Sequence, residues 1–235
     1  MKPFLRLRKR LREKAQDARE RAVTYVALGD SVTQGCMQAG VLEYERVYHQ
    51  VLWRGTHRRY PGTVFNVINS GVGGDTLQAS RSRWERDVLH YKPDLVTICF
   101  GHNDAHGGMD GIGPFVRELG DLVRRIRTET EAEILLMTPC MMMNRDNDRI
   151  AEEHKPLVPA FLKLAEEGVL SRYVEALKQF ALREDIPLFD TYAMWEDMER
   201  GGMDITSRLS NGINHPDAEF HLEWGKALEE ILLAE

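Results

Sequence analysis

The sequence has few cysteines and no long apolar run, and each absence excludes a class of protein. Its 235 residues include only Cys36, Cys99 and Cys140, too few and too scattered for a disulfide framework or a zinc cluster. No apolar run approaches the roughly 20 residues that span a bilayer, so we expect no stable membrane insertion. The first residues lack the apolar core and cleavage site of a signal peptide, which predicts a cytoplasmic protein.

Charge is distributed unevenly along the chain. Residues 1–21 contain nine Lys and Arg but only three acidic residues, so this segment carries +6 and the remainder carries −12. A basic segment could contact nucleic acid or an anionic surface, but apolar side chains between positions 4 and 11 give this one a partial apolar face. We interpret residues 1–22 as a helical arm that packs on the acidic body, or on a partner subunit in a homo-oligomer. The acidic body, residues 23–235, argues against a nucleic-acid partner.

Apolar runs rich in β-formers alternate with amphipathic helical patterns. The predicted strands cover residues 24–29, 64–69, 94–100, 133–138 and 186–190. One predicted helical face carries Val41, Tyr44, Tyr48, Val51 and Leu52, another carries Phe115, Leu119, Leu122, Val123 and Ile126, and a last helix runs from about Ala218 to Leu233. Continuous apolar strands separated by helices indicate a parallel sheet covered on both faces. The sequence therefore predicts one α/β domain, a three-layer α/β/α sandwich with about five parallel strands.

Polar and glycine-rich segments follow the predicted strands. Gly29-Asp30-Ser31 follows the first, the segment 69–76 follows the second, and Gly101-His102-Asn103-Asp104 follows the third. A further polar segment, 211–216, precedes the last helix. Parallel α/β sheets bind their ligands outside the carboxyl ends of the strands, so these segments are expected to meet at one site.

These four segments, in this order, resemble the characteristic blocks of the SGNH hydrolases, a branch of the GDSL-type esterases named for Ser, Gly, Asn and His. The resemblance covers most of residues 23–233. It implies a flavodoxin-like sheet, a carboxylic ester hydrolase activity that proceeds through an acyl-enzyme, and no metal or other cofactor.

The resemblance also assigns roles to individual residues. Ser31 corresponds to the nucleophile and His215 to the general acid–base. The oxyanion hole of the family corresponds to the backbone N–H groups of Ser31 and Gly74 and to the side-chain amide of Asn103. Acyl transfer needs these parts, because a hydroxyl must be activated by a base while donors stabilise the tetrahedral oxyanion. Ser31 also lies where a serine would cap a helix, and we expect it to begin that helix.

The sequence departs from the family where the acid of the triad is expected. The family places Asp three residues before the histidine, but here that residue is Gly212, and the residue before it is Asn211. We predict first a Ser31–His215 dyad whose imidazole is held by Asn211 or by a backbone carbonyl. Second, a carboxylate such as Asp204 or Asp217 could replace the missing one. Third, the protein could be a weak or degenerate enzyme.

Several other polar residues have simpler interpretations. Asp30 and Asp104 are expected to bind backbone N–H groups of their loops, and Asp75 and Thr76 to cap a helix. The spacing of His102 and His106 could suggest a metal, but the motif that would support it is absent, so no metal site is predicted. His221 is the alternative base, one turn into the last helix and outside the motif.

The long connection 140–160 is expected to form a binding loop or lid. Its methionines, Met141 to Met143, would either line an acyl pocket or fill the core. We predict a serine esterase that removes short, acetyl-type acyl groups from a carbohydrate or small metabolite. An acyltransferase on the same fold and a binding module without activity are the alternatives. A nucleotide-binding flavodoxin-like protein is a further class, but the glycine spacing does not fit it.

Overall fold

The computed structural model describes residues 3–38 and 40–234. Its five parallel strands are β1 (Val23–Gly29), β2 (Phe65–Gly71), β3 (Leu95–Cys99), β4 (Glu133–Met137) and β5 (Leu188–Phe189). β3 is buried along its whole length, because it lies at the centre of a sheet that is covered on both faces. The predicted strands and the parallel α/β architecture are thereby confirmed.

Ten α-helices are described around the sheet. They are α1 (Leu5–Gln16), α2 (Ser31–Gln34), α3 (Tyr48–Arg59), α4 (Leu77–Ser80), α5 (Trp84–Asp87), α6 (Ile112–Glu129), α7 (Val158–Glu166), α8 (Val169–Arg183), α9 (Thr191–Arg200) and α10 (Ala218–Leu233). Short 3₁₀ turns connect several of them. None of the helices within the described ranges is both long enough and apolar enough to cross a bilayer.

The strand order β2-β1-β3-β4-β5 determines where the helices lie. The chain moves from β1 outward to β2, then returns past β1 to β3 and continues in the opposite direction. Because parallel crossovers are right-handed, this reversal places α3 on one face and α6 and α8 on the other. α10 packs on α3, and α6 packs on α8, which completes the two outer layers. The reversal lies between β1 and β3, the point at which open α/β sheets form a crevice.

The first predicted helical face begins later in the structure than the sequence indicated. Tyr48, Val51 and Leu52 are buried in α3, but Val41 and Tyr44 are exposed in the preceding loop and 3₁₀ turn. In contrast, the face of α6 predicted from Phe115 to Ile126 is buried throughout. The last helix has the predicted bounds.

The basic arm packs on the body of its own chain. Its apolar residues Leu7 and Leu11 are buried in the common core. Arg10 and Arg21 approach the carboxylate of Asp94, which is fully buried just before β3 and also accepts from the backbone N–H of Thr24. The arm therefore lies at the amino ends of the strands, opposite the predicted site, and shares the core of the main domain.

The connection after β4 places its methionines inside the molecule. Met142 and Met143 are buried in the core, and Met141 packs against it. The backbone N–H of Met143 donates to the carbonyl of Ile213 at 2.7 Å. These side chains fill the core instead of forming an open acyl pocket, and they support the segment that carries His215.

Candidate active site

The carboxyl ends of the three central strands lie side by side. In the register of the sheet, Gly29 at the end of β1 pairs with Gly71 of β2 and with Cys99 of β3. The three polar segments therefore leave the sheet at the same level. The Gly-rich loop after β2 contacts the start of α2, since a Cβ added at Gly73 would lie 3.9 Å from that of Ser31.

Ser31 is the first residue of α2 and sits against the imidazole of His215. Asp30, not Ser31, caps this helix, because its carboxylate accepts from the backbone N–H of Val32 at 3.0 Å. That leaves the Ser31 hydroxyl free for another partner. Its Oγ lies 3.0 Å from Nε2 of His215, which is the geometry of a nucleophile and its base.

The second ring nitrogen of His215 is held by a backbone carbonyl. Nδ1 lies 3.0 Å from the carbonyl oxygen of Met37. A carbonyl oxygen only accepts, so Nδ1 carries the proton and Nε2 has the free lone pair. Ser31 therefore donates its hydroxyl proton toward Nε2. No residue type signals this contact in a sequence, because it uses the main chain.

Desolvation in its half-buried position keeps His215 neutral. Desolvation lowers the pKa of its imidazole to about 4, although the hydrogen bond to Met37 opposes the shift. The nearby rings of His102 and His154 lower it further. A neutral imidazole is the form that can accept the serine proton, so the site is in its basic form at neutral pH.

The backbone donors predicted for the oxyanion hole are available. Gly71 donates its N–H to Asn69, and Gly73 donates to the side-chain oxygen of Gln34 at 2.8 Å. Among the described residues, the N–H of Gly74 has no such acceptor. Gly74 has φ of +76°, a conformation that favours glycine, and a Cβ there would meet nothing within 4 Å. Ser31 is the first residue of α2, so its backbone N–H has no acceptor within the helix.

The amide of Asn103 is held in a fixed orientation beside this loop. Its Nδ2 donates to the carbonyl oxygen of Asp75 at 2.8 Å. An amide nitrogen carries two protons, so one remains for an oxyanion. The neighbouring Asp104 accepts from the N–H of Leu77 at 3.0 Å, which ties the loops after β2 and β3 together. Burial raises the pKa of Asp104 to about 7, and that of Asp30 likewise to about 7.

Asn211 does not contact the imidazole, and the orienting role predicted for it is wrong. Its Oδ1 accepts the backbone N–H groups of Ile213, Asn214 and His215, each at 3.0 Å. Its Nδ2 donates to Oδ1 of Asn214 at 3.0 Å. Asn211 thus shapes the turn that presents His215, because the side chain curls back onto the main chain that follows it.

The carboxylates proposed as substitutes are engaged elsewhere. Asp217 caps α10 by accepting from Phe220 at 2.7 Å and pairs with Arg208. Asp204 accepts from Thr206 and pairs with Arg145. Gly212, which stands where the family has Asp, has φ of +72°. The dyad with a backbone carbonyl is the arrangement present.

The other predicted polar residues have structural partners. His221 is buried and stacks on Trp224, and its Nδ1 accepts from the N–H of Tyr48, so it is not the base. His102 donates to the carbonyl of Cys140 at 2.7 Å. Within the described ranges, no group of three His, Cys, Asp or Glu side chains is placed to hold a metal ion.

Of the two residues predicted to cap a helix after β2, one does so and the other does not. Thr76 caps α4 by accepting from Ala79 at 3.1 Å, as predicted. Asp75 does not cap the helix, because its carboxylate binds the guanidinium of Arg83. Nothing in the sequence distinguishes Arg83 from the many other arginines, so this contact was not predicted.

A sequence profile of the GDSL-like Lipase/Acylhydrolase family matches residues 27–222. The chain belongs to this family. Membership covers most of the chain, including all four blocks, and confirms the resemblance stated from the sequence. It supports the prediction that the protein is a carboxylic ester hydrolase.

Two relatives match this chain in sequence over part of their length. An acetylxylan esterase from Geobacillus stearothermophilus is 31% identical over 149 residues, which are 59% of this chain and 60% of that protein. The uncharacterized lipoprotein YqeF from Bacillus subtilis (strain 168) is 34% identical over 80 residues, 34% of this chain and 31% of that protein. The chain thus aligns with less than two thirds of each relative.

Solved structures share the fold. Axe2, an acetylxylan esterase from Geobacillus stearothermophilus, matches with a TM-score of 0.67 at 22% identity, covering 91% of this chain and 95% of that chain. A two-domain esterase active on acetylated mannans matches with a TM-score of 0.69 at 20% identity, covering 98% of this chain and 53% of that chain. Variants of Axe2 described as catalytic mutants replace a serine, a histidine and an aspartate.

Proposed function

We propose that this protein is a carboxylic ester hydrolase that removes short, acetyl-type acyl groups from a carbohydrate or small metabolite. The observation that carries the proposal is the 3.0 Å contact between Ser31 Oγ and His215 Nε2, with the ring held by Met37 at its other nitrogen. Family membership and the acetylxylan esterase relative support the acyl-group class.

The first half of the reaction forms an acyl-enzyme. As Ser31 Oγ attacks the acyl carbonyl, its proton passes to Nε2 of His215, and the carbonyl oxygen becomes an oxyanion. The N–H groups of Ser31 and Gly74 and the amide of Asn103 stabilise that charge. The imidazolium then gives its proton to the leaving alcohol oxygen as the C–O bond breaks.

The second half repeats these steps with water. His215 takes a proton from water, the hydroxide attacks the acyl carbon, and the same donors stabilise the oxyanion. The Ser31 oxygen leaves with the proton returned by His215, which releases the carboxylic acid and restores the enzyme. In this mechanism Ser31 and His215 move the protons.

Hydrolysis of p-nitrophenyl esters from acetate to dodecanoate by wild type and Ser31→Ala tests the proposal. We expect activity that falls with chain length and is lost in Ser31→Ala. Ser82→Ala serves as the control, since Ser82 is exposed and bonds only to the local helix carbonyl of Ala79. Wild-type activity that survives Ser31→Ala would contradict the mechanism.

Acetylated xylo-oligosaccharides, compared with acetylated nucleosides and amino alcohols, test the substrate class. Release of acetate from the oligosaccharides alone would support a carbohydrate esterase. If an added sugar acceptor receives the acetyl group in place of water, the acyltransferase replaces the hydrolase as the function. Stoichiometric labelling of Ser31 by a fluorophosphonate, lost in Ser31→Ala, would exclude a binding module without activity.

The remaining partners and the location stay predictions. We propose a cytoplasmic protein with no nucleic-acid partner, and fractionation of cells tests the location. A homo-oligomer through the arm is tested by light scattering on wild type and on a variant with Leu5→Asp, since Leu5 is a large apolar arm residue that is exposed. If wild type and the variant are both monomeric, the arm does not form an oligomer contact.

A further inference from the structure

We infer that Arg83 is a positioning residue that holds all three donors of the oxyanion hole in one geometry, an inference that rests on the proposed function. Arg83 lies in the 3₁₀ turn between α4 and α5 and is only 7% exposed. Its guanidinium does not face the solvent. It faces the ends of β1 and β2 and the loop that carries Gly74.

The guanidinium donates to the strand end that precedes Ser31 and to both sides of the loop that carries Gly74. Nη2 donates to the carbonyl of Gly29 at 3.2 Å, two residues before Ser31. Nη1 donates to the carbonyl of Ser70 at 2.8 Å, where the Gly-rich loop begins. Nε donates to Oδ2 of Asp75 at 2.8 Å, the residue that follows Gly74. An arginine is suited to this task because its donors form a rigid planar fork.

Asp75 extends the same network to the third donor. Its carboxylate binds Arg83, and its own backbone carbonyl accepts from Nδ2 of Asn103 at 2.8 Å. A shift of Asp75 would therefore move the N–H of Gly74 and the amide of Asn103 together. Because the donors must lie about 3 Å from an oxygen that exists only in the transition state, such a shift would reduce turnover more than substrate binding.

The alternative is that Arg83 only neutralises buried acid. Asp75 and Asp87 both face its guanidinium, at 2.7 and 3.5 Å from its nitrogens, so charge balance is one of its functions. Two of its three hydrogen bonds, however, go to the carbonyls of Gly29 and Ser70, which carry no charge. A purely electrostatic role does not require those contacts.

The test uses Arg83→Met, Arg83→Lys and the charge-balanced double variant Arg83→Met/Asp75→Asn. Arg81→Met is the matched control, since Arg81 lies in the same turn and also pairs with two carboxylates, but on the surface. Each is assayed with p-nitrophenyl acetate for kcat and KM, and with a fluorophosphonate for the rate of Ser31 labelling. Thermal unfolding checks that each variant is folded.

We expect Arg83→Met to lower kcat about tenfold to a hundredfold, with KM and the acid midpoint of the pH profile little changed, because a misplaced donor group typically costs this much. Arg83→Lys should fall between it and wild type, since an ammonium cannot reach all three acceptors at once. The double variant should remain slow although Asp75 no longer carries a charge and Asp87 keeps its pair with Arg86, and it supplies the measurement if Arg83→Met does not fold.

The decisive comparison is made in an Asn103→Ala background. If Arg83 acts through the oxyanion hole, its loss should slow the Asn103→Ala variant less than it slows wild type, because one of the three donors that it positions is already absent. A full, multiplicative effect there, or a folded double variant with wild-type kcat, would overturn the inference. If acetate release proves independent of Ser31, the proposed function fails, whereas the labelling rate of Ser31 still reports on Arg83.

Discussion

The carbonyl oxygen of Met37 and Nδ1 of His215 lie 3.0 Å apart, in the place where a triad has a carboxylate. In serine proteases, exchanging that Asp for Asn lowers kcat by about 10⁴, an effect assigned to the wrong imidazole tautomer. A carbonyl avoids this problem, because it accepts a hydrogen bond and never donates one. What the dyad lacks is a negative charge beside the imidazolium, so a slower enzyme with the correct tautomer is the expected result.

The pH dependence of the reaction follows from the burial of His215. Its pKa is lowered to about 4, so the base is protonated only as the pH falls through that value. We expect kcat/KM to stay level from about pH 8 to 5 and to fall near pH 4, well below the usual value for histidine of about 6.5.

Circular dichroism at each pH separates the titration of His215 from unfolding. The buried histidines His49, His102 and His221 also have lowered pKa values. As the pH falls below about 6.5, these histidines bind protons in the unfolded chain but not in the folded one. The free energy of unfolding therefore falls between about pH 6.5 and pH 4. Asp30 and Asp104, whose pKa values are raised, act in the opposite direction. An activity midpoint near 6.5 in a folded protein would contradict the burial of His215.

Restoring an acid near His215 is predicted to fail at both available positions. Asn211→Asp keeps an acceptor for the three backbone N–H groups but places a second oxygen against Oδ1 of Asn214, so we expect no gain in kcat. At Gly212, a Cβ would lie 2.5 Å from Oδ1 of Asn147, and φ is +72°. Gly212→Asp should therefore lower both the melting temperature and the activity.

Kinetics and thermal unfolding of the two variants, with Gly212→Asn as the comparison, check this prediction. Asn resembles Asp in size and in its tolerance of a positive φ but carries no charge, so it separates the strain from the charge. A Gly212→Asp variant that is faster than wild type would show that the site accepts a carboxylate after all.

Loss of the Asn103 amide should affect the transition state and not the ground state. We expect Asn103→Ala to lower kcat by about 10² to 10³, equivalent to about 2.7–4 kcal/mol, with KM nearly unchanged. Asn66→Ala is the matched control, because Asn66 lies exposed on β2 at the sheet edge. If the substitution weakened substrate binding as much as it lowered kcat, Asn103 would not be part of the oxyanion hole.

The arm is predicted to contribute to stability without affecting catalysis. Asp94→Ala removes the buried acceptor of Arg10, Arg21 and the Thr24 N–H, and should lower the free energy of unfolding by about 1–3 kcal/mol. Asp121→Ala, which breaks surface pairs that solvent screens, should lower it much less. Urea unfolding measures both. A change in kcat of the folded Asp94→Ala variant would show that the amino ends of the strands influence the site.

The elements with strong periodicity were predictable and the irregular ones were not. The five strands were located to within about two residues, because short continuous apolar runs that alternate with amphipathic helices are typical of buried parallel strands. The stretch with Val41 and Tyr44 was assigned to a helix because apolar spacing alone does not reveal where a helix begins. There the chain instead forms the loop that brings Met37 to His215.

The sequence by itself determined the order of strands and helices and predicted the residues of the candidate site, since Ser31, Gly74, Asn103 and His215 follow a recognisable pattern of blocks. Only the tertiary structure decided how the histidine is oriented, because that contact uses a backbone carbonyl 178 residues away. It also placed Asn211 on the backbone of the turn before His215 and Arg83 on the carbonyls of Gly29 and Ser70. Side chains of the same type occur throughout the chain, and their partners are fixed only when distant segments pack together.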